Sequence, residues 1–462
     1  MIYDLISSEE RKNIDNLIKN YDPKINEFEA SLFSNKETSD DLLTRDKFDN
    51  LNSVLSIINK GKNIKNEQSL DISLMVPFED KLVNYRISIT DNDQINEYME
   101  MLHNRKNHLV YSIIIRFICD KKNKNNTNSM KIIKKTKYFN SYVTVEDIYM
   151  RFKMDTEEEL SNDEIKKLME AKDNFGNSKI FYRYKQRTSF EIKKEKNIFS
   201  VDLTRVRSSN NINKINKELI KREVEIECTI NDKKTLLEQL CKIGEFIIKI
   251  IQGSNHIITK STSYIIKERY ADVLGLSDKN TFYRRNPISL EMQYLINTLQ
   301  NNYSVTDKAD GDRCQLIVVD GKCYLINTNM VVMNIGLTIN KKFNNSILDG
   351  EYIFIKKKNK YVYMAFDCLI NGDKNVRDES LFVNRLKNAD EIIENLNEMK
   401  FKYSKLDSSK INVNDMDKIM KYHEKNMIDF YNDLDIYLKA KNNDVIVRRK
   451  YFMCVNGVEK YI

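Results

Sequence analysis

Tyr303-Ser304-Val305-Thr306-Asp307-Lys308-Ala309-Asp310-Gly311-Asp312-Arg313 reads as a short extended segment that reaches a lysine, turns through an acidic glycine pair and arrives at an arginine. An amine held at the end of a strand can act as a nucleophile once deprotonated. A glycine next to it lets the backbone turn sharply. The arginine fork can then grip phosphate or ribose oxygens. Three fixed letters arise readily by accident in a chain this rich in Lys and Asp, so a plain charged turn stands beside the chemical reading until companions are found.

Companions follow in order. Ile347-Leu348-Asp349-Gly350-Glu351-Tyr352-Ile353 places D-G-E on a strand, and Tyr361-Val362-Tyr363-Met364-Ala365-Phe366-Asp367-Cys368-Leu369 places an aromatic-aspartate pair on the next. Upstream lies Arg285-Asn286-Pro287-Ile288-Ser289-Leu290-Glu291. Together these segments resemble motifs I, III and IIIa of the covalent nucleotidyltransferases, the mRNA capping guanylyltransferases and polynucleotide ligases. The resemblance implies that Lys308 attacks the α-phosphate of a nucleotide and carries it as a phosphoramidate. Asp310, Gly311 and Arg313 would surround the nucleotide, Glu351 would face ribose or metal, Phe366 would stack on the base, and Asp367 would assist with metal. The Pro-Ile-Ser-Leu segment is similar to capping enzymes, which use GTP, more than to ligases, which use ATP.

A chain of 462 residues suggests two or three domains. Its 76 Lys+Arg against 68 Asp+Glu give a net charge of +8, compatible with RNA but mostly a solvated surface. Seven cysteines without a C-x-x-C pair, and four histidines, argue against a zinc site or disulfide framework and favour a reducing compartment. No apolar run is long enough to span a bilayer. The abundance of Lys, Asn and Ile suggests AT-rich coding, as in large DNA viruses.

In the N-terminal half, Ser7 to Lys19 has the period of an amphipathic helix, with Ser8 as its cap. Ile25 to Phe33 alternates as a strand with Glu27 and Glu29 on one face. The pattern returns at Arg222 to Ile230, where Glu223, Glu225 and Glu227 share a face opposite Val224, Ile226 and Cys228. Between them, strands around Arg86, Arg151, Lys185 with Arg187, and Asp202 with Arg205 also carry charge. A solvent-facing amphipathic strand explains any one of these. A closed antiparallel barrel with a polar interior explains all of them. Thr156 to Leu160, continuing through Ser161 to Ala171, reads as helix, its acidic run lying on the surface. Lys121 to Asn128 reads as a solvated loop.

Two E-x-E strands near the ends of one domain resemble the triphosphate tunnel metalloenzymes, the RNA triphosphatases of fungi, poxviruses and giant viruses. The resemblance covers residues 20 to 235. It implies that Glu27, Glu29, Glu225 and Glu227, with Glu223 possible, hold Mg²⁺ or Mn²⁺. Arg86, Arg151, Lys185, Arg187 and Arg205 would bind phosphates, and Asp202 would orient water or a cation. The expected fold is α+β, an antiparallel β-tunnel over residues 1–240 followed by a covalent nucleotidyltransferase domain over 241–462, with the junction near 235–260.

In the C-terminal half, Gln315 to Val319 and Lys322 to Ile326 flank Asp320-Gly321, a hairpin signal. Glu291 to Leu299 and Asp415 to Lys439 have helical patterns, and Val445 to Met453 resembles the strand that precedes motif IV. Motifs IV and V are not found before Ile462, so the second domain is expected to be incomplete at its C-terminus. The alternatives are a fragment, a split gene or a degenerate second domain, and in the split case a separate chain would supply the remaining motifs or a cap methyltransferase. The expected partners are 5′-triphosphate RNA and GTP, with no membrane, in host cytoplasm or virion if the chain is viral. Two alternatives stay open: an ATP-dependent ligase-like enzyme, and a non-catalytic RNA-binding capping subunit.

Overall fold

The computed structural model describes residues 2–32, 43–78, 81–103, 130–136, 141–161, 163, 179–285, 303–306, 308–397 and 445–455. The chain divides into two compact units, Met1–Gln252 and Gly253–Ile462. The Pro287 to Leu290 segment, the helical patterns at 291–299 and 415–439, and the loop at 121–128 lie outside the described residues.

In the first unit nine strands pair antiparallel: β1 (Asn26–Leu32), β2 (Ile64–Phe78), β3 (Lys81–Ile89), β4 (Met130–Thr136), β5 (Tyr142–Val145), β6 (Met150–Glu159), β7 (Lys179–Lys194), β8 (Asn197–Ser209) and β9 (Lys221–Thr229). Their order is β1-β9-β8-β7-β2-β3-β4-β6-β5. β1 also pairs along its whole length with β6, which closes eight strands into a barrel and leaves β5 as an appendage of β6.

Alternation then sets the polarity of the wall. Phe28, Ala30, Leu32, Phe152, Val224 and Ile226 are buried on the outer side. Each large apolar side chain removed from water there contributes about 1.5–3 kcal/mol. Next to them in sequence, Glu27, Glu29, Lys153, Glu225 and Glu227 line the interior. Outside the barrel lie α1 (Ser8–Lys19), α2 (Arg45–Ile58), α3 (Asn92–His103) and α4 (Leu236–Gln252). α4 buries Leu236, Leu240, Ile243, Ile247, Ile248 and Ile251 and packs against α2, so it counts wholly with the first unit.

Two local expectations change. The cap of α1 is Ser7, whose hydroxyl takes the Glu10 N–H at 3.2 Å while the Glu10 carboxylate takes the Ser7 N–H at 2.9 Å. Ser8 has Arg11 three residues on, which cannot close such a box. Thr156 to Glu159 continue β6 as a strand. Glutamates favour helix only weakly, and pairing with β1 on one side and β4 on the other overrides that preference.

The second unit is a sheet in the order β13-β12-β11-β14-β15-β16, with β17 parallel to β15. Its strands are β10 (Tyr303–Val305), β11 (Asp312–Val319), β12 (Lys322–Asn327), β13 (Val332–Thr338), β14 (Ile347–Ile355), β15 (Lys360–Asn371), β16 (Lys374–Asn375), β17 (Val445–Arg449) and β18 (Met453–Val455). The β11–β12 turn is Asp320-Gly321 at φ 50° and 72°, as the sequence suggested. α5 (Lys260–Leu274) covers one face through Ile266, Tyr270 and Leu274, and α6 (Phe382–Asn397) covers the other through Ala389, Ile392 and Ile393. β10 pairs with β18, so the lysine-bearing segment is tied to residues 453–455.

Candidate active sites

The barrel encloses a polar cavity of about 190 Å³ lined by Glu27 and Glu29 from β1 and Glu225 and Glu227 from β9. The strands are neighbours, with Glu29 opposite Glu227. Each E-x-E repeat therefore delivers two carboxylates to the same patch of wall, the reason this spacing works on a strand. Glu223 stands apart from the four, held by both carboxylate oxygens at 2.8 Å from Arg183.

Cations interleave with these acids. Arg187 reaches Asp202 at 2.8 Å and Glu225 and Glu227 at 3.2 Å each. Lys185 meets Asp71 at 2.5 Å, and Lys153 meets Glu29 at 3.3 Å and also Asp155. Arg86 grips Glu157 at 2.8 Å, and Lys135 bonds Asp155 at 2.7 Å and Glu157 at 2.9 Å. Asp202 is buried and also accepts from the Ser200 hydroxyl at 2.6 Å, so its direct role is to aim Arg187. Removing Arg187 would leave Asp202 buried without its cation. We expect Arg187→Met to destabilise the protein by about 3–5 kcal/mol in urea unfolding. A loss under about 1 kcal/mol would show that solvent screens the cluster.

Two of the expected phosphate ligands sit elsewhere. Arg205 lies an odd number of residues from Asp202, which turns it to the outer face. There it bonds Asp49 of α2 at 2.7 Å and lies over Phe48. Arg151 shares the inner parity but stands at the start of β6, where it bonds Thr144 of β5 at 3.1 Å and lies over Tyr142. Conversely, Asp71, Lys135, Lys153, Asp155 and Glu157 were not read as site residues. For Asp71 the signal was present, since Leu70, Ile72 and Leu74 alternate with it. For Glu157 the glutamate run hid a strand.

Crowding of carboxylates has an electrostatic consequence. Burial first, then Glu157 and Glu227, pushes Glu27 from 4.5 up to about 8. Burial first, then Asp202, pushes Glu227 from 4.5 up to about 7. Glu29 is raised by burial and Glu225, whereas Glu157 is held below its ordinary value against burial by Arg86 and Lys135. Acids that hold their protons so firmly have too little positive charge around them. A hard, oxygen-seeking dication suits this donor set. Among the described residues no three such side chains converge closely enough to hold one. Arg187 and Lys153 stand between the acids instead.

The raised acids make the metal-free fold pH-sensitive. Between the unfolded value near 4.5 and the folded values of about 7 and 8, the folded chain holds more protons, so stability falls as pH rises. Metal-free protein should melt lower at roughly pH 8 than at roughly pH 5, and Mn²⁺ should shrink the difference. A melting temperature that rises over this window, or that ignores Mn²⁺, would contradict the assignment.

In the second unit Lys308 is exposed and bonds Asp310 Oδ1 at 2.7 Å, which raises its pKa, the direction opposite to what a nucleophilic amine needs. That ion pair must open before the amine can react. Gly311 is not left-handed, so the sharp-turn argument is replaced by a steric one. A Cβ there would come 2.8 Å from Tyr352 O and 2.6 Å from Ile353 Cγ1. Arg313 is held to Asp349 through Nε at 3.2 Å and Nη2 at 2.7 Å and lies over the Phe366 ring at 5.8 Å.

Glu351 sits opposite Arg313 in the β11–β14 ladder, and its Oε2 is buried with no hydrogen-bond partner. Burial raises its pKa, while Lys450 and Lys308 pull it back. Asp367 is taken by Arg385 at 2.8 Å, so its contact is an arginine rather than an open metal position. The segment after β17 completes the surroundings: Arg449 bonds Asp390, Lys450 is buried, and the Thr306 hydroxyl donates to Tyr451 O at 2.6 Å.

The geometry defines a class of protein: a closed carboxylate-lined barrel followed by a sheet that presents a lysine, an arginine and an unsatisfied glutamate. Residues 248–410 match the family model of the mRNA capping enzyme catalytic domain. Over 416 residues the chain is 27% identical to a probable mRNA-capping enzyme of Acanthamoeba polyphaga mimivirus, covering 87% of this chain and 33% of that one. The chain thus spans about a third of the length of that curated relative. Among solved structures it is similar to the RNA triphosphatase domain of a trifunctional mimivirus mRNA capping enzyme, at 24% identity and TM-score 0.41, covering 54% of this chain and 99% of that one. An S. pombe RNA triphosphatase follows at 14% identity and TM-score 0.29, with 53% and 87% covered. No helix among the described residues is long and apolar enough to cross a membrane.

Proposed function

We propose that this chain carries out two successive steps of mRNA 5′ capping. The barrel removes the γ-phosphate of 5′-triphosphate RNA, and the second unit transfers GMP from GTP through a covalent bond to Lys308. The observation that carries the reading is the paired E-x-E wall inside a closed barrel, followed in one chain by Lys308, Arg313 and Glu351 near one end of the β11–β14 ladder. The capping-domain match over 248–410 supports the second half.

Glu27, Glu29, Glu225 and Glu227 would hold Mg²⁺ or Mn²⁺, which when bound would neutralise phosphate charge. Arg86, Lys185 and Arg187 would exchange their carboxylate partners for phosphate oxygens, supplying the positioning and neutralisation on which phosphoryl transfer depends. In the second unit Lys308 Nζ would bond to the α-phosphorus as pyrophosphate departs. Phe366 would pack on the base and Glu351 would accept from ribose. Such a chain would work in host cytoplasm or in a virion.

The test has two arms. Phosphate release from triphosphate-ended RNA should stop in EDTA and return with Mn²⁺ or Mg²⁺. Labelled GTP, and not labelled ATP, should leave a covalent adduct on denaturing gels. Metal-independent release would remove the first assignment, and labelling by ATP alone would replace the second with a ligase-type reaction.

A further inference from the structure

We propose that the tip of the β14–β15 hairpin is a docking surface for single-stranded RNA, placed to receive the strand whose 5′ end accepts the nucleotide from Lys308. The second clause rests on the capping reading; the surface itself does not. β11 pairs with β14 only as far as Tyr352, and β17 pairs with β15 only from Tyr361 onward. Among the described residues, the strand ends from Ile353 and back to Lys360 are therefore laddered only to each other. The projecting turn is Lys356-Lys357-Lys358-Asn359, closed by the Lys358 N–H to Ile355 O bond at 3.0 Å, with Lys360 directly after it. Lys356 and Lys357 are exposed.

Charge alone would be an ordinary solvated turn. What distinguishes this one is a column of rings beneath it. Tyr352 and Tyr361 stack at 4.6 Å with their planes 2° apart, and Phe354 tilts onto Tyr361 at 4.8 Å. Phe354 ends the column and is 43% exposed. An exposed ring backed by two others, under a row of ammonium groups, matches what single strands require. Unpaired bases stack on the aromatic while phosphates meet the cations.

Position supports the same occupant. Ile353 packs against Gly311, three residues from Lys308. At about 3.3 Å per residue, the lysine turn begins roughly 10 Å beyond that contact. A strand held at the tip would reach back toward the amine.

The experiment is fluorescence anisotropy of the full chain with a short single-stranded oligoribonucleotide across a salt series. Lys356→Ser, Lys357→Ser and Lys358→Ser together should lower affinity at least tenfold at about 0.1 M salt, and flatten the log–log salt slope by about 2. Phe354→Leu keeps the apolar bulk and removes the π face; it should cost at least about fivefold. Both variants should melt within a few degrees of the parent, and both should still form the GTP adduct without RNA. If the parent forms no adduct, the capping reading falls, yet the RNA titration still decides the surface. Unchanged affinity and slope would overturn the proposal. So would a neutral Phe354→Leu with duplex RNA bound equally well, or displacement by polyglutamate as readily as by RNA.

Discussion

Glu27→Ala and Glu227→Ala should each reduce phosphate release from triphosphate-ended RNA by at least about 10²-fold while the barrel stays folded. Each change removes one of the four carboxylates that adjacent strands present to the cavity and that are proposed to hold the metal. The remaining acids would hold a dication weakly and off its position. The fold should survive because both side chains carry raised proton affinity in the metal-free protein, so each is a strained group rather than a support. Truncation should therefore be neutral or stabilising at roughly pH 8 without metal, which thermal melting would read. Release rates as a function of Mn²⁺ concentration give the direct check. Parent-like release in either variant would mean that the E-x-E wall does not hold the metal.

Lys308→Ala should abolish the GTP-dependent covalent adduct and leave phosphate release unchanged. No other amine in the described second unit combines exposure with the K-x-D-G-x-R setting, and a methyl group cannot form the P–N bond. Lys308 and the E-x-E acids belong to different compact units, so one loss should not carry the other. The adduct is measured by radiolabelled GTP on a denaturing gel, release by free phosphate. A folded Lys308→Ala protein that also lost phosphate release would mean one shared site.

Much of the candidate chemistry was legible because it depends on short patterns. Glu27 with Glu29, and Glu225 with Glu227, share a strand face by period two alone. Parity would also have separated Arg205 from the face of Asp202 without any coordinates, yet Arg205 was expected among the phosphate ligands. Glu157 was hidden for a different reason. A run of three glutamates after Thr156 is compatible with a helix surface, and only pairing of β6 with β1 and β4 makes it a strand. Gly311 was singled out for a sharp turn, whereas the constraint on it is the approach of Tyr352 and Ile353 from another strand.

The sequence by itself determined which residues alternate together, where the K-x-D-G-x-R, D-G-E and aromatic-aspartate patterns fall, and their order along the chain. Those follow from the fixed two-residue repeat of a strand and from residue chemistry, both local. Tertiary structure decided which face is inside, because that depends on the β1–β6 ladder closing the sheet. It also decided the partners: Arg187 among Asp202, Glu225 and Glu227, Arg86 on Glu157, and Lys450 near Glu351. Such pairings join residues from 15 (Arg187 and Asp202) to 99 (Lys450 and Glu351) positions apart. No local periodicity encodes them, and only the register of the closed barrel and the paired sheet brings the charges within reach.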